Sequence, residues 1–471
     1  MNSFANITGT YTDYYQLTMS QVYFLKGHSN QKAVFDYFFR KIPFGGGYVV
    51  FAGLYDLLEI LQNLKFSKDD LEFLSDCGLN KDFIQYLKDF SFRGTIYSSN
   101  EGDIVFPTRP VLQVEADIIE AQIIETVLLN TLNFQSLIAT KACRMSYQAP
   151  EGSLIDFGLR RSQGLGGYQA SRAAIIGGFS ATSNVISAKD NQTDVSGTMA
   201  HSFIQSYDDE LTAFRHFAEN MSENSVLLVD TYDTLKSGIP NAIKVAREME
   251  ERGQRLKGIR LDSGDLAYLA KKSREMLNDA GLSDVKIAAS NQLDEYVIKS
   301  LIEQKAPIDL FGVGTNLVTG QPDAALDGVY KLCHFNGKPR IKLSENINKT
   351  SLPDKKQVFR IFNGEGQFYG ADAITLRHEK GLDKMHHPFE ADKKISLKGL
   401  NSEPILKKVM ENGKVLIDKK SLKDISDYRR ERLSLLPQEF KRFDNPHVYK
   451  VGISTILMNQ RDELKEEYKK S

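Results

Sequence analysis

The sequence predicts an α/β protein with a central parallel sheet flanked by helices. Between about residues 150 and 335, short apolar runs alternate with amphipathic stretches at a spacing of roughly 30 residues, which is typical of βα units. Polar or glycine residues follow most of these apolar runs directly. A chain of 471 residues is also too long for one ordinary core, so we expect two domains or one large barrel with additions.

The composition, 41% hydrophobic and 26% charged residues, is that of a globular protein in water. The 60 Lys and Arg residues balance 61 Asp and Glu residues, which gives no electrostatic reason to expect nucleic acid or a membrane as a partner. The first six residues do not resemble a signal peptide, and no apolar run approaches the ~20 residues that cross a bilayer, so we expect a cytoplasmic protein. Widely separated Cys77, Cys143 and Cys333 argue against a disulfide framework or a cysteine zinc site.

The first part of the chain, to about residue 119, mixes strand-like and helical patterns. Residues 33–40 are rich in aromatic and β-branched side chains and predict a strand, and residues 48–64 carry apolar side chains at helical spacing. Ser67 is placed to cap a further helix. An apolar stripe from residue 117 predicts a long amphipathic helix that leads into the central part.

The central part should contain the parallel strands. We predict them at residues 153–157, at 174–176 or just after, and at 225–229, 258–261, 285–289 and 308–313. Helices are predicted between them at residues 238–252, 265–280 and 293–304. Because working residues collect at the carboxyl ends of parallel strands, the polar residues there should form one shared site.

Beyond about residue 340 the chain is more polar and contains lysine-rich stretches near Lys355, Lys393 and Lys407. We predict surface loops at residues 344–357 and 397–403 and a charged helix at 427–442. The charge runs are interpreted as a solvated face.

His201 lies in the stretch Val-Ser-Gly-Thr-Met-Ala-His-Ser, behind a glycine and between small polar residues. An imidazole there can exchange protons near neutral pH or accept a phosphoryl group, because its nitrogen is a good nucleophile. A lone histidine is more often structural than catalytic, so other residues must decide between these interpretations.

Residues 258–265, Gly-Ile-Arg-Leu-Asp-Ser-Gly-Asp, are the sharpest local motif. If residues 259–262 form a strand, Arg260 and Asp262 face the same side of the sheet. Burying both charges costs stability unless they pair with each other or bind a ligand. A structural ion pair and a ligand site therefore both remain open.

Further polar groups could complete a phosphate site. Glycine lets the backbone approach a ligand, and exposed N–H groups on a late βα loop suit a phosphate. Candidates on the last two predicted strands are Ser290, Asn291, Gly312, Gly314 and Thr315.

Two arginines and a tyrosine are further candidates. Arg160 and Arg161 follow a predicted strand, and their planar forks suit a carboxylate or a phosphate. Tyr15 either stacks on a flat ring or packs in the core, and the residues alone favour the core. With acidic oxygens able to hold Mg²⁺ and a histidine nearby, the pattern predicts a phosphotransfer or phosphoribosyl-transfer enzyme.

Several segments closely resemble the nicotinate phosphoribosyltransferase family, in the family's order and over most of the chain to about residue 335. They are residues 12–19 (TDYYQLTM), 38–45 (FFRKIPFG), 157–161 (FGLRR), 197–202 (GTMAHS), 260–265 (RLDSGD) and 311–315 (FGVGT). The tail beyond residue 340 cannot be matched residue by residue. It has no cysteine with which to build the zinc site that some relatives carry there.

The resemblance implies a type II phosphoribosyltransferase fold. An irregular α/β barrel at residues 121–340 would lie beside an α/β sandwich domain formed by residues 1–120 and 341–471, and the protein would be a homodimer. Nicotinate and phosphoribosyl pyrophosphate would give nicotinate mononucleotide and pyrophosphate, coupled to ATP hydrolysis, in the first step of NAD salvage from nicotinate.

The same resemblance implies roles for individual residues. His201 would be phosphorylated by ATP, and Tyr15 would stack on the pyridine ring from across the dimer interface. Thr198, with Arg160 or Arg260, would hold the nicotinate carboxylate, and Asp262 would act near the ribose hydroxyls or on Mg²⁺. The phosphoribosyl pyrophosphate would be bound by Ser290, Asn291, Gly312, Gly314 and Thr315.

Three alternatives remain. A nicotinamide or quinolinate phosphoribosyltransferase would share the fold and the donor. A barrel aldolase or isomerase is a different class, but the sequence lacks a convincing lysine at a strand end for a Schiff base. A non-catalytic protein that kept the fold is disfavoured by the set of His201, Arg260 and Asp262.

Overall fold

The computed structural model of the chain describes residues 7–344, 350–390 and 392–470. The first six residues, and part of the loop predicted at 344–357, lie outside the described residues. The chain divides into two compact units. Residues 138–324 with 421–426 form the central unit, and the remainder from both chain ends forms the terminal unit. The boundaries fall at 137/138 and 324/325, where the sequence suggested 120/121 and 340/341.

Both units contain β-strands, which are numbered here in chain order. The first strands of the terminal unit are β1 Lys32–Phe39, β2 Val49–Val50, β3 Thr95–Ser98, β4 Ile104–Val105 and β5 Leu112–Asp117. The strands of the central unit are β6 Leu154–Asp156, β7 Ala181–Thr182, β8 Asp194–Val195, β9 Val226–Leu228, β10 Gly258–Leu261, β11 Lys286–Ser290 and β12 Leu310–Val313. The later strands of the terminal unit are β13 Gly328–Phe335, β14 Lys338–Pro339, β15 Lys356–Phe362, β16 Phe368–Leu376, β17 Lys384–His386, β18 Lys394–Ser396, β19 Asn401–Pro404, β20 Lys407–Glu411, β21 Lys414–Val415 and β22 Lys450–Ile453.

Sixteen α-helices of the described residues accompany these strands. From the start of the chain they are α1 Tyr14–Leu25, α2 Leu54–Asn63, α3 Lys68–Asp76, α4 Lys81–Lys88, α5 Ile118–Ile123, α6 Glu125–Gln148, α7 Leu165–Ile176 and α8 Val185–Asn191. They continue with α9 His201–Gln205, α10 Glu210–Asn220, α11 Ile239–Glu251, α12 Leu266–Asp279, α13 Glu295–Glu303, α14 Thr315–Val318, α15 Leu422–Leu435 and α16 Thr455–Lys470. Within the described ranges, none combines the length and the apolar character needed to span a membrane.

The central unit is built on a parallel sheet with the strand order β8-β7-β6-β12-β11-β10-β9. The prediction of parallel βα units is confirmed, and β10 has the predicted bounds. A strand at residues 174–176 is wrong, because these residues end helix α7 and the next strand is Ala181–Thr182. The Ala-Ala-Ile-Ile run is buried on nearly every side, and a short buried helix segment shows no periodicity that separates it from a strand.

The terminal unit contains two larger sheets. The first has the strand order β14-β13-β1-β5-β3-β20-β21 and pairs antiparallel throughout. The second has the order β18-β17-β22-β16-β15-β19, in which only β16 and β22 pair parallel among the described residues. Both chain ends therefore contribute, as the fold class predicted. The cap at Ser67 is confirmed by a capping box with Asp70.

The interpretation of the tail's charge runs as a solvated face holds at Lys393 and Lys407, which are exposed, but other charged side chains of the tail are buried. Arg360 is fully buried and donates to Asp372 at 3.1 Å and to Asp103 at 3.0 Å. Arg109 lies 2.7 Å from the other oxygen of Asp372, and Arg432 donates to Asp103 at 2.9 Å. Burial raises the pKa of Asp103, but the three arginines outweigh it and leave the pKa below its ordinary value. We call these five side chains the buried charge network.

Candidate functional site

The polar residues of the central unit converge at the carboxyl ends of β9, β10 and β11. Arg260 lies inside β10, Asp262 follows that strand directly, and Ser290 ends β11. Strands β10 and β11 pair in register from Gly258 with Lys286 to Leu261 with Ala289, so the residues beyond them are neighbours. The predicted shared site is therefore located at this edge of the sheet.

Arg260 is the centre of the cluster, and its side chain is only 12% exposed. Its Nε donates to Ser290 Oγ at 2.9 Å, its Nη1 to Thr198 Oγ1 at 2.9 Å, and its Nη2 to Asp262 Oδ1 at 3.1 Å. The guanidinium carbon lies 5.6 Å from the centroid of the Phe157 ring. The predicted common face of Arg260 and Asp262 is confirmed, and both side chains reach across to residues of other loops.

Asp262 is held from several directions. Ser290 donates its hydroxyl to Oδ1, and the backbone N–H of Asp262 donates to Asp230 Oδ2 at 2.8 Å. Burial raises the pKa of Asp262, but the hydrogen bond from Ser290 and the charge of Arg260 outweigh it and bring the pKa below its ordinary value. Asp262 is therefore an ionised carboxylate at neutral pH.

His201 begins the short helix α9 and faces this carboxylate. Its Nδ1 lies 3.0 Å from Thr231 Oγ1, and its Nε2 lies 3.8 Å from Asp262 Oδ2. The side chain is 40% exposed, so a reactant can reach the ring. The purely structural interpretation of His201 is weakened, since one ring nitrogen is oriented by a hydroxyl and the other is directed at a carboxylate.

Asp230, directly after β9, joins the site although the sequence did not single it out. Ser263 Oγ and the backbone of Asp262 both donate to its Oδ2, at 2.6 Å and 2.8 Å. Its Oδ1 is buried, and no group in the described part of the chain donates a hydrogen bond to it. This oxygen of Asp230 and the carboxylate of Asp262 together offer only oxygen ligands, which hard divalent cations prefer. Within residues 7–344, 350–390 and 392–470, no group of three or more His, Cys, Asp and Glu side chains is arranged for a metal.

The candidate phosphate residues lie on the adjacent loops. Gly314 and Thr315 open helix α14 after β12, and Asn316 ties this loop to the next by donating to the carbonyls of Gln292 and Leu293 at 3.3 Å and 3.2 Å. Asn291 has a φ of 81°, an uncommon backbone conformation for a residue with a side chain. A cavity of about 320 Å³ opens beside Ser290, between the loops that follow β10 and β11.

Gly312 has a packing role that explains why it has no side chain. It lies inside β12, where an added Cβ would overlap the Phe157 ring that packs near Arg260. We predict that Gly312→Ala lowers the free energy of unfolding by about 1–3 kcal/mol, the usual cost of overpacking. Urea denaturation measures this, with Gly364→Ala as a control because a Cβ at Gly364 meets open space. Equal stability of the two variants would contradict the packing role of Gly312 against Phe157.

Two further predicted site residues have exposed side chains. Arg160 is exposed in the short 3-10 turn Leu159–Arg161 after β6. Tyr15 belongs to the terminal unit and is 51% exposed on α1, so the interpretation of Tyr15 as a core residue is wrong.

Comparison with solved structures defines the class of protein. The crystal structure of human nicotinic acid phosphoribosyltransferase matches with a TM-score of 0.87 at 28% identity, over 96% of this chain and 99% of that chain. Nicotinate-nucleotide pyrophosphorylase from Pyrococcus furiosus matches with a TM-score of 0.71 at 25% identity, over 91% of this chain and 95% of that one. The parallel sheet with its charged carboxyl edge is that of a type II phosphoribosyltransferase.

Sequence comparison identifies the family. The profiles of the nicotinate phosphoribosyltransferase N-terminal domain, family and C-terminal domain match residues 10–133, 153–390 and 355–461. The nicotinate phosphoribosyltransferase of Bacillus subtilis (strain 168) is 44% identical over 454 residues, which is 94% of this chain and 92% of that protein. The chain belongs to the nicotinate phosphoribosyltransferase family.

Proposed function

We propose that this protein transfers the phosphoribosyl group of phosphoribosyl pyrophosphate to nicotinate, giving nicotinate mononucleotide and pyrophosphate in NAD salvage. The transfer is coupled to ATP hydrolysis through a phosphorylated His201. The observation that carries this proposal is one connected cluster: Arg260 is fixed beside Asp262, and Asp262 faces His201. The choice of nicotinate and phosphoribosyl pyrophosphate as substrates is supported by membership of the family.

Arg260 is suited to the nicotinate carboxylate. Three of its nitrogens already bond to Ser290, Thr198 and Asp262, which fixes the plane of the guanidinium. The second N–H of Nη2 remains to donate to a substrate oxygen. Nicotinate is an anion at neutral pH, so a fixed guanidinium favours it over the neutral amide. Arg160 is the alternative ligand, but it is exposed and lies on a different loop.

The arginine assignment predicts unequal effects of two matched substitutions. Arg260→Lys is expected to lower kcat/KM for nicotinate by about 100-fold, because an ammonium cannot reproduce the planar, multiply bonded fork. Arg160→Lys is expected to lower it by less than about tenfold. Steady-state assays with nicotinate and nicotinamide as competing bases measure both. A larger loss of kcat/KM in Arg160→Lys than in Arg260→Lys would show that Arg160 binds the nicotinate carboxylate.

Asp262 and Asp230 are placed to assist the leaving pyrophosphate. When bound, Mg²⁺ would neutralise charge on the leaving group, and the oxygens that could hold it are Oδ2 of Asp262 and the uncompensated Oδ1 of Asp230. The ionised Asp262 also stabilises positive charge that develops on the ribose during transfer. Gly314, Thr315 and Asn291 are proposed to hold the phosphate of the donor with backbone groups.

His201 is proposed as the phosphoryl acceptor from ATP. The hydroxyl of Thr231 orients the ring, and the exposed part of the imidazole is open to a nucleotide phosphate. Phosphorylation adds negative charge beside Asp262 and Arg260, which changes how the site holds its substrates. The ATP dependence of the reaction therefore resides in one side chain.

The active protein is proposed to be a homodimer in the cytoplasm, with Tyr15 stacking on the pyridine ring of the partner's site. The support is the exposed aromatic and apolar side chains on and next to helix α1, which are Tyr11, Tyr14, Tyr15, Val22 and Leu25. A mixture of Tyr15→Ala and His201→Ala proteins would regain ATP-stimulated activity if the two residues act from different subunits. No recovery on mixing would contradict the shared site.

A further inference from the structure

Ser290 occupies an unusual position between the two charged residues of the cluster. It ends strand β11 and is only 3% exposed. Its Oγ accepts a hydrogen bond from Arg260 Nε at 2.9 Å and donates its proton to Asp262 Oδ1. The same hydroxyl lies 3.4 Å from the carbonyl of Leu261, a weaker contact. A single serine thus joins the guanidinium to the carboxylate.

These contacts limit what the hydroxyl can do for a substrate. A serine has one O–H donor, and here the proton is given to Asp262. A phosphate at neutral pH only accepts hydrogen bonds, so Ser290 cannot serve it without releasing Asp262. The resemblance to the family had suggested Ser290 as a phosphoribosyl pyrophosphate ligand, and the hydrogen bonds favour a different role.

We infer that Ser290 is a positioning residue for the phosphoribosyl transfer: its hydroxyl fixes Arg260 and Oδ1 of Asp262, so that Oδ2 of Asp262 faces His201. This inference rests on the proposed function of the site. Oδ1 accepts from both Ser290 and Arg260, whereas Oδ2 lies 3.8 Å from His201 Nε2. Ser290 and Arg260 together therefore hold Oδ1 of Asp262 inside the protein and leave Oδ2 directed at the reactants.

Removing the hydroxyl releases both partners at once. In Ser290→Ala, Arg260 Nε loses its acceptor and Asp262 Oδ1 loses one of its two donors, while the ion pair between the two side chains remains. The carboxylate can then rotate, and the guanidinium loses one of the contacts that fix its plane. Misplacement of a catalytic group by about 1 Å costs about 100-fold in rate, so the loss should appear in kcat.

The test compares Ser290→Ala with Ser290→Thr, which keeps the hydroxyl, and with Ser273→Ala. Ser273 is a fully buried serine of α12 whose hydroxyl has no partner among the described residues. We expect Ser290→Ala to lower kcat by about 100-fold with KM for phosphoribosyl pyrophosphate changed less than about threefold. Ser290→Thr should recover at least about tenfold of the loss, and Ser273→Ala should match the wild type.

Two outcomes would overturn the inference. A raised KM for phosphoribosyl pyrophosphate at unchanged kcat would make Ser290 a ligand of the donor. Wild-type values of kcat and KM in Ser290→Ala would show that the Ser290 hydroxyl has no role in the reaction. An inactive wild type would contradict the proposed function, whereas an active wild type that Ser290→Ala matches would contradict the inference alone.

A second measurement does not depend on turnover. The ¹⁵N-labelled Nε–H signal of Arg260, assigned by its absence in Arg260→Lys, should exchange with water faster in Ser290→Ala than in Ser273→Ala. Equal exchange rates in these two variants would show that the hydroxyl does not hold the guanidinium.

Discussion

Asp262→Asn is expected to lower kcat by about 100- to 1,000-fold while the protein remains folded. The asparagine keeps the shape of the side chain and can still accept from Ser290, but it removes the charge that faces His201 and balances Arg260. A carboxylate that stabilises developing positive charge, or binds the cation on the leaving group, acts through that charge. Steady-state kinetics with saturating substrates measure the loss.

Asp265→Asn is the matched control for this prediction. Asp265 lies in the same motif and caps helix α12 by accepting from the backbone of Tyr268 at 3.0 Å. Asparagine is an equally good cap, so this variant should keep kcat within about twofold of the wild type. Similar kinetics in both variants would show that the charge of Asp262 has no part in the reaction.

Asp372→Ala is expected to lower the free energy of unfolding of the terminal unit by about 3–5 kcal/mol. Asp372 is fully buried and compensates Arg360 and Arg109, which are also fully buried. Tyr449 donates a further hydrogen bond to it at 2.8 Å. Without the carboxylate, both guanidinium groups lose their shared partner inside the buried charge network, and uncompensated buried charge is costly.

Urea denaturation followed by circular dichroism measures the change. Glu248→Ala is the control, since Glu248 forms a partly exposed pair with Arg215 and such pairs contribute little. If Asp372→Ala shifts the urea midpoint no more than Glu248→Ala does, the buried charge network does not stabilise the fold.

Most strands of the central sheet were predictable because they are short, largely apolar and bounded by polar residues, whereas β8 Asp194–Val195 is exposed and was not predicted. The strands expected at 225–229, 258–261, 285–289 and 308–313 all exist. Parallel pairing then brings their carboxyl ends to one edge, which is why Arg260, Asp262 and Ser290 meet as expected. Alternation along β10, continued to the residue directly after it, was enough to place Arg260 and Asp262 on one face.

Other features depend on contacts that a local pattern does not contain. The buried run that ends α7 has no periodicity, so a strand was predicted in its place. Lys356 and Arg360 in the tail carry charges that usually mark a surface, yet both are fully buried beside Asp36 and Asp372. Charge compensation across distant parts of the chain decides such burial.

Asp230 was missed as a site residue for a similar reason. It stands after a predicted strand like several other polar residues, and only the bonds from Asp262 and Ser263 single it out. A search for carboxylates directly after neighbouring parallel strands would have found it.

The most direct test of the proposed function is the formation of nicotinate mononucleotide from nicotinate and phosphoribosyl pyrophosphate, with and without ATP. It is measured for the wild type and for His201→Ala. We predict product in the wild type that ATP increases, and product in His201→Ala that ATP leaves unchanged. An equal response to ATP in both proteins would contradict the phosphorylated histidine. Product from nicotinamide or quinolinate but not from nicotinate would contradict the proposal that nicotinate is the substrate.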